Sequence, residues 1–279
     1  MTMNALRMVC MSATAAAMLG LYSFAGAAEP TMADDPWPML ARTVFKDRPL
    51  LDGGGLISLE MPYRAEDAAI VPLTVRSTIP AGDSRQVKAV TIVIDENPSP
   101  VAAAFTFGRN AAVSAISTRV RVNSYTNVHA VAELSDGKLY MVKTYVKAAG
   151  GCSAPAIKDA SEANVHLGEM RFRQFGPSDR TPPASSRRVA QIMIRHPNNS
   201  GLQMDQITHL YIPAFFVDDL KIWQGDELVL VMEGGISISE NPSIRFTYVP
   251  NGAASFRAQA ADTEKHVFKG EWPATGSAM

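Results

Sequence analysis

Two thiols, Cys10 and Cys152, are the residues of this chain best equipped for covalent chemistry. A thiolate is a strong nucleophile toward sulfur, and its access and pKa set its reactivity. Two cysteines are too few for a disulfide framework, or for a cysteine-built zinc or iron–sulfur centre supplied by this chain alone. Cys10 lies in an apolar, Ala-rich run from Met8 to Phe24. Arg7 is the one charged residue before Glu29, and Ala25-Gly26-Ala27 has the small-x-small form of a cleavage site. Residues 1–28 are therefore expected to be a signal peptide, cut after Ala27 or Ala28. The cut removes Cys10 and leaves Cys152 alone in a compartment where thiols normally pair. Such a cysteine is buried, pairs with another molecule, or reacts.

The neighbours of Cys152 suggest access. Gly150 and Gly151 precede it, and Ser153-Ala154-Pro155 follow. Glycine removes side-chain bulk and widens backbone freedom. Gly150, Gly151, Ser153 and Ala154 are thus expected to form a flexible arm that can present a thiol to a narrow pocket. Lys147 and Lys158 are near enough in sequence to favour the thiolate. The alternative is an incidental exposed thiol, or one that joins two chains.

Other chemistry is sparse. There is no GxSxG elbow and no HExxH. The histidines, at 129, 166, 196, 209 and 266, lack metal-ligand spacing and are expected to be structural or superficial. Asp218-Asp219 adjoin an expected turn and should be solvated. Asp52-Gly53-Gly54-Gly55 lacks the spacing of a phosphate-binding loop, so it is expected to be a turn. No catalytic residue, cofactor site or metal site is expected, and the protein is expected not to be an enzyme.

Composition narrows the class. The chain has 279 residues, 47% hydrophobic and 19% charged, enough to bury a core. Its 26 Lys and Arg balance 27 Asp and Glu, which argues against nucleic acid as a partner. No second hydrophobic run approaches the length of a membrane span. The expected location is the periplasm, with no membrane span in the mature form.

The elements that must position Cys152 are mostly strands. A helix capped by Asp35, with Pro36 first, is expected through Trp37, Leu40, Val44 and Phe45. Strands are expected at 69–77, 87–95, 103–107 and 116–122. A hairpin over 128–147 turns on Asp136-Gly137. Ala156–Val165 suggests a short helix, and Gly176–Ser186 has linker composition. Further strands are expected at 189–195, 209–212, 220–223, 228–232, 236–239, 244–249, 253–260 and 264–269. Short strands separated by turn signals indicate an all-β protein. The expected order is a signal peptide at 1–28, a β-sandwich at 29–149, the cysteine arm and linker at 150–186, and a second β-sandwich at 187–273.

Two sets of residues resemble a known family. Val146-Lys147-Ala148-Ala149-Gly150-Gly151-Cys152 resembles the C-terminal end of SoxY, the sulfur-carrier subunit of bacterial thiosulfate oxidation. His196-Pro197 with Ser200-Gly201-Leu202, Ile212-Pro213-Ala214, and Gly235–Pro242 running into Ile244–Phe246 resemble its partner SoxZ. The whole looks most like fused SoxYZ-like carriers linked with quinoprotein (PQQ) dehydrogenases. The resemblance implies two immunoglobulin-like β-sandwich domains in tandem, joined by a flexible linker. It implies that Cys152 carries a sulfur intermediate covalently for separate sulfur-oxidation enzymes, with the second domain as scaffold. Ser153-Ala154 replace the family's final glycines, and the arm here is internal. The alternative is a non-covalent accessory or docking module for a periplasmic quinoprotein dehydrogenase and its cytochrome.

Overall fold

Alternation of buried and exposed side chains runs through most of this chain, as a two-sheet protein requires. The computed structural model describes residues 35–155, 165–175 and 187–274. The signal peptide of 1–28, the 176–186 linker, Lys158 and all but the last residue of the 156–165 helix lie outside the described residues. From Pro36 onward the chain clusters as one unit.

Helix α1 (Trp37–Phe45) begins one residue later than expected, with Pro36 at its cap position and no side-chain cap. The first half then supplies β1 (Leu50–Asp52), β2 (Ile57–Glu60), β3 (Val71–Ser77), β4 (Val87–Ile94), β5 (Val101–Phe107), β6 (Ala115–Val120), β7 (Thr126–Leu134) and β8 (Leu139–Val146). The second half supplies β9 (Met170–Phe175), β10 (Arg188–Ile194), β11 (Val217–Gln224), β12 (Glu227–Gly234), β13 (Ser243–Tyr248), β14 (Ser255–Asp262) and β15 (Val267–Pro273). The expected hairpins are present: β7–β8 turns at Gly137 (φ 77°), and β11–β12 at Gly225 (φ 59°).

The architecture is all-β, in two sheets. One sheet has the order β1-β8-β7-β4-β5-β12-β11-β14-β15, the other β2-β3-β6-β13-β10-β9. Pairing is antiparallel except for β1 on β8. The two halves meet strand to strand in both sheets. Phe107 to Ala103 of β5 pair with Leu230 to Gly234 of β12, and Ile116 and Ser117 of β6 with Phe246 and Arg245 of β13. One core therefore runs through both, including Val71, Ile92 and Phe105 from the first half and Ile192, Leu230 and Phe246 from the second.

Strand β7 is buried on both faces. Val128, Ala130 and Ala132 face the main core, while Val131 lies under α1 with Phe45 and Leu139. His129 shares that second face: Trp37 stacks on it at 3.5 Å, and its Nε2 lies 3.1 Å from Asp95. It is a structural histidine that seats the helix.

Three expectations change. Strand β9 falls within 150–186, expected to be arm and linker; its Arg171, Arg173 and Gln174 break the apolar run that signals a strand. Residues 209–212 and 236–239 form single bridges, Met204 with Tyr211 and Val120 with Ile238, not strands. Asp218 and Asp219 lie at the start of β11 and are half-buried, Asp219 paired with Lys221 at 3.1 Å.

Candidate cysteine site

Strand β8 ends at Val146, and the chain immediately docks back on its own half. The Lys147 N–H donates to Tyr63 O at 2.8 Å, Gly150 N–H to Asn123 O at 2.8 Å, and Gly151 N–H to Val122 O at 3.0 Å. Gly150 takes φ 76°, a left-handed conformation that glycine adopts without penalty. Gly151 is glycine for space: a Cβ there would stand 2.0 Å from Ala68 O and 2.6 Å from Val122 O. Ser153 N–H closes the turn on Gly150 O at 3.2 Å. The glycines expected to make an open arm instead let a tight turn press against the backbone at Ala68 and Val122. Ser153 is exposed and Ala154 half-buried, but Cys152 is 0% exposed.

The expectation of an accessible thiol is thus corrected. Burial pushes the Cys152 thiol up to about 11, against the attraction of Arg121. A thiol in this setting is protonated at neutral pH and a poor nucleophile.

Lys147 does not supply the neighbouring charge, and Lys158 lies outside the described residues. Lys147 Nζ lies 4.9 Å from the centroid of the Tyr63 ring. The cation beside the thiol is Arg121, just past β6 and 31 residues away in sequence. It is 1% exposed. Its Nη1 donates to Gly151 O at 3.2 Å and its Nη2 to Asn198 O at 3.3 Å. Burial draws its pKa down, while Glu240, Cys152 and Asp67 act against that.

Residues of the second half complete the surroundings. The Ser200 hydroxyl donates to the Cys152 carbonyl, and Gln203 Oε1 accepts the Ser200 N–H at 2.8 Å. Ile212 N–H donates to Gln203 O at 2.8 Å, so Ile212-Pro213-Ala214 closes this loop. Buried Asn97 binds Arg121 O and Ser237 Oγ through Nδ2, both at 2.8 Å, and accepts Asn123 N–H at 2.8 Å. Ser239 Oγ donates to Ala69 O at 2.7 Å. The 235–242 stretch therefore fastens the second half to the strand end that carries Arg121.

A second polar chain leaves this centre. Asn198 N–H donates to His196 Nδ1 at 3.1 Å, which leaves Nε2 to carry the proton toward Asp262 at 3.4 Å. Asp262 is buried and also meets half-exposed His266 at 2.9 Å. His196 is a core residue whose pKa burial lowers.

Sequence reasoning missed Arg121, Asn97, Asn198 and Gln203. Arg121 is a lone polar residue between Val120 and Val122, while Asn97, Asn198 and Gln203 stand in turn-like stretches of no marked chemistry, and only the pairing of β6 with β13 gathers them. The signal available was the clustering of Ser200, Ser237 and Ser239 within the segments quoted from the second half.

Known proteins match the same two halves. The model of the sulfur oxidation protein SoxY matches residues 41–152, and that of SoxZ residues 180–273. No curated protein matches the chain. Among solved structures, the sulfur carrier protein SoxY from Chlorobium limicola f thiosulfatophilum is 26% identical. The match covers 40% of this chain and 91% of that one, with a TM-score of 0.34. A putative superoxide reductase from Thermotoga maritima is 14% identical over 36% of this chain and 92% of that one, TM-score 0.29. The SoxY match ends on Cys152 itself, and the SoxZ match takes in the loop that bonds its carbonyl. The chain belongs to the SoxYZ family of sulfur-oxidation carrier proteins, with a SoxY domain and a SoxZ domain fused in that order.

Proposed function

We propose that this protein is an exported, non-enzymatic carrier that holds a sulfur-containing intermediate covalently on Cys152 for separate periplasmic enzymes of sulfur oxidation. The observation that carries the reading is the placement of the one thiol of the described residues at the seam of the two domains, with contacts from both. Gly150, Gly151, Ser153 and Ala154 serve as the hinge on which the thiol leaves its buried seat. Loading requires that movement, because a fully buried sulfur reaches no partner. The side-chain clasp to be released is one hydroxyl–carbonyl bond from Ser200 and one guanidinium bond from Arg121, beside the backbone bonds of Gly150 to Asn123 O and Gly151 to Val122 O. Each bond of this kind contributes about 1–2 kcal/mol, within reach of a docking partner. No base is needed on the carrier if the partner's site ionises the exposed thiol.

Intact mass spectrometry of natively purified protein, with and without reductant, tests the reading. The expected result is a mass increment on Cys152 that reductant removes. A plain thiol throughout, even in cells oxidising sulfur compounds, overturns it.

The burial of Cys152 favours a second reading, a non-covalent docking module for a quinoprotein dehydrogenase or cytochrome. Under that reading Cys152→Ser leaves function intact; under the carrier reading it abolishes it.

A further inference from the structure

Two buried residues that hold the Cys152 turn, Arg121 directly and Gln203 through Ser200, each carry a nitrogen donor with no acceptor. Arg121 Nε makes no hydrogen bond, and neither does Gln203 Nε2, although Gln203 is 0% exposed. The orientation of the Gln203 amide follows from its partner. Ser200 N–H can only donate, so the amide oxygen must face it at 2.8 Å, and the free end is the nitrogen.

The two groups come from different domains and converge on one turn. Arg121 reaches it through Gly151 O, and Gln203 through Ser200, whose hydroxyl binds Cys152 O. Glu240 and Asp67 are within electrostatic range of Arg121, yet among the described residues its guanidinium bonds go to the carbonyls of Gly151 and Asn198 and to no carboxylate. An unsatisfied buried donor costs about 1–3 kcal/mol, and a buried charge without a counter-charge more. Spare N–H donors beside an unpaired guanidinium are suited to an anion with oxygen acceptors.

We propose that Arg121 and Gln203 receive the negatively charged, oxygen-bearing end of the group bound to Cys152, so that the binding site is completed across the domain seam. This rests on the carrier reading for its cargo. A neutral group of similar size gains nothing from the pair.

The test uses the full chain and two chemical adducts. With tetrathionate, the Cys152 thiolate attacks a central sulfur. A bond forms between Sγ and that sulfur, the central S–S bond breaks, and thiosulfate leaves with the electron pair, giving an anionic –S–S–SO3⁻ group. With methyl methanethiosulfonate, the thiolate takes the methylthio group and methanesulfinate leaves, giving neutral –S–S–CH3. The measurement is the rate at which dithiothreitol clears each adduct, followed by intact mass. Gln203→Leu also removes the acceptor of Ser200 N–H, so the reading is the ratio of the two rates: the anionic adduct should gain roughly tenfold in clearance relative to the neutral one. Arg121→Met should act in the same direction. If that variant does not fold, Arg121→Lys, which keeps the charge and loses Nε, should fall between wild type and Gln203→Leu. Equal acceleration of both adducts, or of neither, overturns the proposal. A natively purified protein that never bears cargo, but whose adducts still discriminate by charge, overturns the carrier reading and leaves the anion seat standing.

Discussion

The guanidinium of Arg121 donates to the carbonyl of Gly151 at 3.2 Å, which fastens a buried cation to the residue before the thiol. The contact links the end of β6 to the turn after β8. The same guanidinium binds Asn198 of the SoxZ domain, so the thiol's seat depends on both domains at once.

The thiol should be kinetically silent near neutrality. With its pKa pushed up to about 11, little thiolate exists at pH 8, and burial slows what there is. Iodoacetamide should alkylate the native protein orders of magnitude more slowly than the urea-unfolded chain. The native rate should keep rising to about pH 11 rather than levelling near 9. A plateau near 9 would place the thiol in water.

The same shift has a stability consequence. The folded pKa lies above the ordinary 9.0, so the protonated thiol is favoured by folding. That contribution is present below pH 9 and is lost as pH rises toward about 11. Melting temperature should fall across this window more steeply in wild type than in Cys152→Ala.

Ser200→Ala should loosen the clasp. It deletes the hydroxyl that binds Cys152 O, at a cost of about 1 kcal/mol. Alkylation of native Cys152 should accelerate about fivefold with little change in melting temperature. An unchanged rate would mean that the turn opens without parting this bond.

The two glycines should respond differently to alanine. Gly151→Ala forces a Cβ onto Ala68 O and Val122 O and should cost roughly 3 kcal/mol. Gly150→Ala meets only the Ser153 hydroxyl, at an ordinary contact distance of 3.9 Å, but keeps φ 76°, and should cost about 1 kcal/mol. Urea unfolding with a linear extrapolation separates the two.

Acid should destabilise the His196–Asp262 pair. Burial holds His196 below its ordinary 6.5, so its contribution is present above pH 6.5 and fades as pH falls through the native pKa. Burial raises Asp262, but bonds from His266 and His196 outweigh it and leave its carboxyl below the usual range. Its contribution is therefore lost at still lower pH. His196→Gln should flatten the stability profile just below pH 6.5.

Much of this protein is legible along the chain, because strands and turns depend on near neighbours. The alternation in Ala115–Val120, the Asp136-Gly137 turn and the Gly225 turn are local patterns, and each marks its element. So do the motifs around Cys152, His196 and Gly235, which carry the family resemblance. Strand β9 is less legible, since polar residues on its exposed face dilute the pattern.

The single cysteine of the described residues and the order of its two domains belong to the sequence. Whether that cysteine is open or closed belongs to the tertiary structure. Gly-Gly permits both a free arm and a tight turn, since glycine adds neither bulk nor a preferred backbone conformation. The choice falls to residues far away: Ala68 and Val122, whose carbonyls crowd Gly151, and Ser200 and Arg121, whose donors hold it. Those residues meet only because β5 pairs with β12 and β6 with β13, a register set by two half-buried faces and not by any motif at the cysteine.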